Sequence, residues 1–187
     1  EARQREYAWL TGDVRAEDRA AQYGHRAAIV LFTGSAQTGK TFLARRVEAL
    51  LVADSRHAYL LEGENLLQGL DADLSAADPS FAAERVRRYG EVARLLIDTG
   101  LIVVSTSKTF GINYQRMAEM IRTLVQPVPV ISVHMSREGD EAPPNTDLHF
   151  AGPQDFDAAA RQILEELKRR GVLIQPSGTK PTIQYSI

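Results

Sequence analysis

The amino-acid sequence predicts an α/β fold, a three-layer sandwich on a mainly parallel central sheet of about five strands. Three observations carry this reading. Apolar runs such as Ala28–Thr33 and Leu101–Ser105 lack the polar alternation of a half-exposed strand, as strands buried on both faces do. Stretches with the 3.6-residue period of amphipathic helices lie between them. A glycine-rich turn joins the first run directly to the first such helix.

The elements follow in chain order. Residues 1–26 read as a lead-in with a short helix, 27–170 as the main domain and 171–187 as a C-terminal tail. Asp13 is placed to cap a helix over Val14–Tyr23, which Gly24 and His25 end. Trp9, the only tryptophan, suggests that the lead-in docks on the domain. After the strand at Ala28–Thr33 comes a helix over Lys40–Val52, then a strand at Ala58–Glu62 that ends in an acidic cluster. Glu84–Asp98 has helical spacing, with Val86, Val92, Leu95 and Leu96 on one stripe, and Gly100 closes it before the strand at Leu101–Ser105. Met117–Val125 predicts a helix and Val128–Val133 a strand. Arg137–Asn145 is a charged, Gly- and Pro-containing loop, Leu148 starts a short last strand, and Phe156–Arg170 is a closing helix with a basic C-terminal end. The tail reads as a flexible end or an added edge strand.

Composition narrows the function classes. With 187 residues and 44% hydrophobic content the chain can build one well-cored domain. A net charge of -2 gives no general electrostatic reason for a nucleic-acid or membrane partner. No apolar run approaches the roughly 20 residues that cross a bilayer, and no segment has a signal peptide's order. The absence of cysteine removes disulfide and thiolate chemistry and suits a reducing cytoplasm, where we expect the chain to reside. A start at Glu1 fits a piece of a larger multidomain chain. His25, His57, His134 and His149 are scattered without metal-ligand spacing.

The chemistry centres on one motif. Gly34-Ser35-Ala36-Gln37-Thr38-Gly39-Lys40-Thr41 matches the P-loop pattern G-x-x-x-x-G-K-[ST], between a buried strand and a helix as the motif requires. This makes the sandwich a P-loop NTPase or kinase. The two glycines let successive N–H groups point into one cavity, and the helix N-terminus adds positive charge toward bound phosphates. The expected ligand is ATP with Mg²⁺: Lys40 bridges the β- and γ-phosphates and the Thr41 hydroxyl ligates the metal.

Other groups are candidates for the acceptor side. Glu62 and Glu64, in Glu62-Gly-Glu64-Asn65, could hold Mg²⁺ through water or take a proton from an attacking hydroxyl, or merely form a solvated turn. Arg85 and Arg88 share a helix face at i, i+3 while Arg87 points elsewhere. Such arginines either grip an anionic acceptor or pair with nearby carboxylates, as Arg87 could with Glu91. Lys108 follows the third strand, and Ser105, Thr106 and Ser107 end it without a His–Asp partner for a nucleophile.

Taken together these residues resemble the adenylylsulfate kinase family over about residues 9–170. Phe32-Thr-Gly34 through Lys40-Thr41 is similar to its P-loop, Leu61–Asn65 to its Asp-Gly-Asp-Asn motif, and Gly69–Leu74 to its Gly-Leu-Asn-x-Asp-Leu. Arg87–Ala93, Asp98–Val103 and Glu141–Pro143 extend the likeness. The resemblance implies ATP-dependent phosphorylation of adenosine 5′-phosphosulfate or a related nucleotide, with Lys40, Glu62 and Glu64 catalytic and Asn65, Arg87, Arg88 and Lys108 on the acceptor. It also implies a homodimer. Departures gather on the acceptor side. Glutamates replace both aspartates, Leu66 and Leu67 stand where a basic residue is expected, and Ser75-Ala76 replaces Gly-Phe. Arg85 replaces an Asn, Thr109–Ile112 replaces Ser-Pro-Phe-Arg, and Ser136–Asp140 closes the gap where the family carries a basic lid. The alternative reading is therefore a degenerate nucleotide-binding module that regulates or assembles with a sulfate-activating enzyme.

Overall fold

The computed structural model describes residues 9, 10, 12–106, 114–152 and 155–174. Eleven elements run α1 (Ala16–Tyr23), β1 (Ala28–Gly34), α2 (Lys40–Ala53), β2 (Ala58–Glu62), α3 (Gly63–Leu66), α4 (Phe81–Asp98), β3 (Ile102–Thr106), α5 (Tyr114–Val125), β4 (Val130–Ser136), β5 (Leu148–Ala151) and α6 (Phe156–Arg169). The strands form one sheet in the order β2-β3-β1-β4-β5, every neighbouring pair parallel. All five strands therefore end at the same edge, where ligands of open α/β sheets bind.

The three strands with the most continuous apolar runs, β1, β3 and β4, are buried along their whole length. Alternate side chains feed two cores. Val30 and Phe32 of β1 pack with Leu43, Val47 and Leu51 of α2 and Ile163 and Leu167 of α6. Ile29 and Leu31 pack on the other face with Val86, Tyr89 and Ala93 of α4 and Ile121 of α5. Apolar burial of this kind contributes about 25 cal/mol per Å² removed from water. The edge strands β2 and β5 are only partly buried, and Tyr59 is half-exposed on β2. Here the N–H of Leu60 is covered by Glu48, to whose Oε1 it donates at 2.6 Å.

Several local expectations are corrected. Arg15, not Asp13, stands at the start of α1, where its backbone N–H donates to Asp18 Oδ2 at 3.1 Å. Gly24 does end that helix, in the left-handed conformation with φ 69°. α4 starts at Phe81, three residues before Glu84, after a turn in which Asp78 Oδ1 accepts the Ser80 N–H at 2.7 Å. Its buried stripe is Arg85, Val86, Tyr89, Gly90, Ala93 and Ile97, and Leu95 points to solvent at 58% exposure. Gly90 belongs to the stripe because Leu124 of α5 lies so close that a Cβ would come within 2.4 Å of its Cδ1. α5 begins at Tyr114 rather than Met117, and β4 begins at Val130 and runs on to Ser136.

The residues that lead into β1 and those that follow α6 meet at one place. Leu173 pairs with His25 in an antiparallel bridge, and Ile174 N–H donates to Gly24 O at 2.9 Å. Arg56 donates to the same Gly24 carbonyl and to Ile174 O. Buried His25 accepts the His57 N–H on Nε2 at 2.9 Å. The tail from 175 onward lies outside the described residues. Trp9 is 40% exposed and carries Arg94 over its ring at 4.1 Å. Among the described residues no helix is long and apolar enough to cross a membrane.

Candidate active site

The turn after β1 is shaped by backbone that only glycine accepts comfortably. Gly34 has φ 120°, and a Cβ there would lie 1.8 Å from Met135 O, because β1 and β4 run in register up to Gly34 and Met135. Ser35 N–H donates to that same carbonyl at 3.0 Å, so the loop leaves the sheet hard against β4. Gly39, at φ 87°, caps α2, and the Phe156 ring occupies the space a Cβ would need, 2.6 Å away. Gln37 is also left-handed, at φ 63°, and Thr38 Oγ1 closes the loop on Ser35 O at 2.9 Å. The N-terminus of α2 thus opens onto the loop with its first N–H groups directed toward any bound anion.

Lys40 lies at the first position of α2, 8% exposed. Its Nζ donates to Gly34 O at 3.0 Å and to Ser35 O. Burial holds its pKa below the ordinary lysine value, and the Glu64 carboxylate opposes that shift. The ammonium is therefore poorly solvated and directed into its own loop, where a phosphate would replace two carbonyls with charge. Thr41 follows, partly exposed.

Carboxylates come in from the neighbouring strand ends. Glu62 ends β2 and starts α3; its Oε2 accepts the Thr106 hydroxyl from the end of β3 at 3.0 Å, and Arg45 of α2 is 3.9 Å from Oε1. Glu64 lies one residue beyond Gly63 on α3, near enough to act on Lys40. Beneath them the buried Tyr89 hydroxyl donates to Leu61 O at 2.7 Å and lies 2.6 Å from Ser105 Oγ, joining β2, β3 and α4. Burial pushes the Tyr89 phenol well above its usual pKa, and the charges of Glu62 and Glu64 push it the same way. Asn65 is exposed on α3.

The arginines are placed differently. Arg87, half-exposed, gives two 2.7 Å bonds to Glu84 and lies 4.0 Å from Glu91. Arg88 holds Asp73 with both Nη atoms and Glu84 through Nε at 2.9 Å, and also donates to Leu70 O. Bonds from Arg87 first, then Arg88, hold the Glu84 carboxyl down at about 2. Arg85 is buried and faces Asp71, its Nε 3.4 Å from Oδ2 and its Nη2 3.4 Å from Gly63 O. The Asp71–Arg85 pair was not anticipated, although both residues depart from the family pattern toward opposite charges. Lys108 and Ser107 lie outside the described residues, as does Thr109–Ile112.

A second unanticipated group closes the far side. His134 of β4 is buried in register with Thr33 of β1 and His149 of β5, and its Nδ1 is 3.0 Å from Thr33 Oγ1. Burial first, then His149 and Lys40, lower the His134 pKa, while Asp140 opposes. Parallel strands β4 and β5 are joined by the eleven residues 137–147 with no helix among them. That connection turns tightly at Arg137–Asp140 and then packs Pro143–Thr146 against α5 over a cavity of about 20 Å³. Among the described residues no three His, Cys, Asp or Glu side chains are grouped as a metal site.

The adenylylsulphate kinase family profile matches residues 26–146. The adenylyl-sulfate kinase of Shewanella amazonensis is 39% identical over 128 residues, 68% of this chain and 63% of the relative. This chain thus spans less than two thirds of that relative's length. The adenylyl-sulfate kinase of Yersinia pestis is 28% identical over 88% of this chain and 89% of its own length. Among solved structures, a mutant of the Mycobacterium tuberculosis APS kinase superposes with a TM-score of 0.66 at 29% identity, covering 77% of this chain and 99% of that one. The same kinase in complex with AMPPNP and APS gives a TM-score of 0.64 at 24% identity, a likeness of fold.

Proposed function

Because this chain belongs to the adenylylsulphate kinase family, we propose that it transfers the γ-phosphoryl group of ATP to a hydroxyl of a small-molecule acceptor, as the family's name describes for adenylyl sulfate. The single observation that carries the reading is the Gly34–Thr41 loop, with Lys40 buried where it enters α2 and the Glu64 carboxylate of α3 acting on that ammonium. Residues 27–170 form the domain that performs the reaction.

Ala36–Gly39 N–H groups and the α2 N-terminus would cradle the β-phosphate, and Lys40 would leave its two carbonyls to follow the γ-phosphate. The Thr41 hydroxyl and the Glu62 carboxylate, which Thr106 orients, fit a Mg²⁺ carried in by the nucleotide. That ion supplies charge neutralisation between the β- and γ-phosphates. Glu62 or Glu64 accepts the acceptor's hydroxyl proton as the new O–P bond forms, and the bridging O–P bond breaks to release ADP. Positioning and electrostatics supply most of the rate in such a reaction.

The test is ADP release from ATP and Mg²⁺ with a panel of hydroxyl acceptors, adenosine 5′-phosphosulfate serving as the reference. Lys40→Ala is expected to lower kcat by about 10²–10³ or more. A second reading is a nucleotide-binding module without turnover, favoured by the engagement of Arg87 and Arg88 with carboxylates. It requires ATP binding by calorimetry together with acceptor-independent, Lys40-independent background.

A further inference from the structure

A large ring stands in solvent at the mouth of the P-loop. Phe42 directly follows Lys40-Thr41 in the first turn of α2 and is 62% exposed, while the next two residues, Leu43 and Ala44, are fully buried. A second ring stands against it. Phe156 opens α6, and its ring centroid lies 4.8 Å from that of Phe42 at an interplanar angle of 56°. Phe156 also covers Gly39, where a Cβ would come within 2.6 Å of its ring. The two rings thus border the turn that takes the phosphates.

The pair is held from behind. Asp155 accepts the Asp157 and Ala158 N–H groups at 3.0 and 3.1 Å, which fixes the helix start that carries Phe156. Arg46 Nε donates to Asp157 Oδ1 at 2.6 Å and ties that first turn to α2. Phe156 packs on the core that α2 and α6 share. A platform fixed in this way loses little freedom when a ligand settles on it. The strand order sets the direction of a bound nucleotide. Glu62, Glu64 and Thr106 stand at the ends of β2 and β3 on one side of β1, and α6 follows β5 on the other. A nucleotide whose terminal phosphate turns toward the glutamates carries its base toward α6. The Phe42 N–H is among the first N–H groups of α2, which have no partner within the helix and are directed at the phosphates.

We infer that Phe42, backed by Phe156, is the platform on which the base of the donor nucleotide stacks. It favours purines over pyrimidines, because the larger base covers more of an open aromatic face. This deepens the phosphotransferase reading and rests on its nucleotide-binding half, independently of the acceptor.

The test is calorimetry on the full chain with Mg²⁺ and ATP, ADP, CTP or inorganic tripolyphosphate, the last of which has no base. We expect the parent chain to bind ATP about tenfold more tightly than CTP. Phe42→Ala should weaken ATP and ADP about tenfold, bring ATP close to CTP, and leave tripolyphosphate within about twofold of the parent. Phe42→Tyr keeps the ring and should bind ATP like the parent. Parent-like ATP binding by Phe42→Ala, equal weakening of ATP and tripolyphosphate, or a Phe42→Tyr variant as weak as Phe42→Ala overturns the inference and leaves the phosphotransferase reading intact. A parent chain that binds no nucleotide overturns both.

Discussion

The P-loop half of this cleft, which we propose takes the donor, and the proposed acceptor half share one sheet edge but are built by different means. The donor half is made of backbone: Gly34, Gln37 and Gly39 hold left-handed conformations, and N–H groups and one lysine do the rest. The acceptor half is made of side chains on α3, α4 and the loop between them, held by ion pairs such as Asp71–Arg85 and Asp73–Arg88. A backbone site tolerates little change, because alterations meet packed neighbours, main chain at Gly34 and the Phe156 ring at Gly39. A side-chain site can be rewritten pair by pair while the helices stay where they are. This is consistent with an intact P-loop beside a proposed acceptor region in which several positions depart from the family pattern.

The largest expected effect lies on the backbone side. Gly34→Ala places a methyl group 1.8 Å from Met135 O, and neither strand can retreat without breaking the β1–β4 ladder. We expect ATP binding by calorimetry to vanish and the melting temperature to drop sharply. Lys40→Ala, which removes only side-chain bonds to the Gly34 and Ser35 carbonyls and adds no clash, should lower that temperature far less. A melting curve for Gly34→Ala that overlays the parent's would break the contrast between the two halves.

Next comes the buried pair. Removing one charge alone, as in Arg85→Met, leaves Asp71 buried without its counter-ion and should cost about 3–5 kcal/mol in urea unfolding. The double variant Asp71→Asn, Arg85→Asn removes both charges and should recover much of that loss. Recovery would show that the acceptor half is rewritable in units of pairs; equal losses in single and double variants would show that it is not.

The smallest effect is a pH dependence that arises outside either half. Burial lowers the His25 pKa from 6.5 and acts first on His134 as well. A folded-state value below the unfolded one means that the unfolded chain takes up protons first. Stability is therefore complete above about pH 6.5 and declines as the pH falls below it. At His25 the geometry gives the same sign, because protonating Nε2 sets it against the His57 N–H. The urea midpoint should fall modestly between pH 7.5 and pH 5.5, and less so in His25→Gln. A midpoint that rises with acid would contradict the placement of these rings.

Much of this was readable in the sequence, and the limit follows the same division. β1, the P-loop and α2 were legible because continuous apolar runs and glycine spacing report backbone geometry directly. The start of α4 was not, since Phe81-Ala-Ala lacks a polar partner face and the turn at Asp78–Ser80 supplies the stop. Leu95 falls on the stripe when Val86, Val92, Leu95 and Leu96 alone set the rotation of the helix; burial of Tyr89 and Gly90 turns that stripe and leaves Leu95 in solvent. The Asp71–Arg85 contact spans fourteen positions and His134–Thr33 spans 101, and no local period encodes either. The roles assigned to Asn65, Arg87 and Arg88 depend on an acceptor and remain proposals to be tested by kinetics.

The meeting of Gly24 with Ile174 has a consequence for engineering. The chain reaches the sheet and departs from it one hydrogen bond apart, fastened by Arg56 and by the His25–Leu173 bridge. A unit whose ends coincide can be cut elsewhere and rejoined there. A circular permutant linking Ile174 to Gly24 through a few residues, and opened in the exposed turn at Arg137–Asp140, should fold and still bind ATP. The same closeness would let the unit be spliced into a surface loop of another protein without prying its host apart.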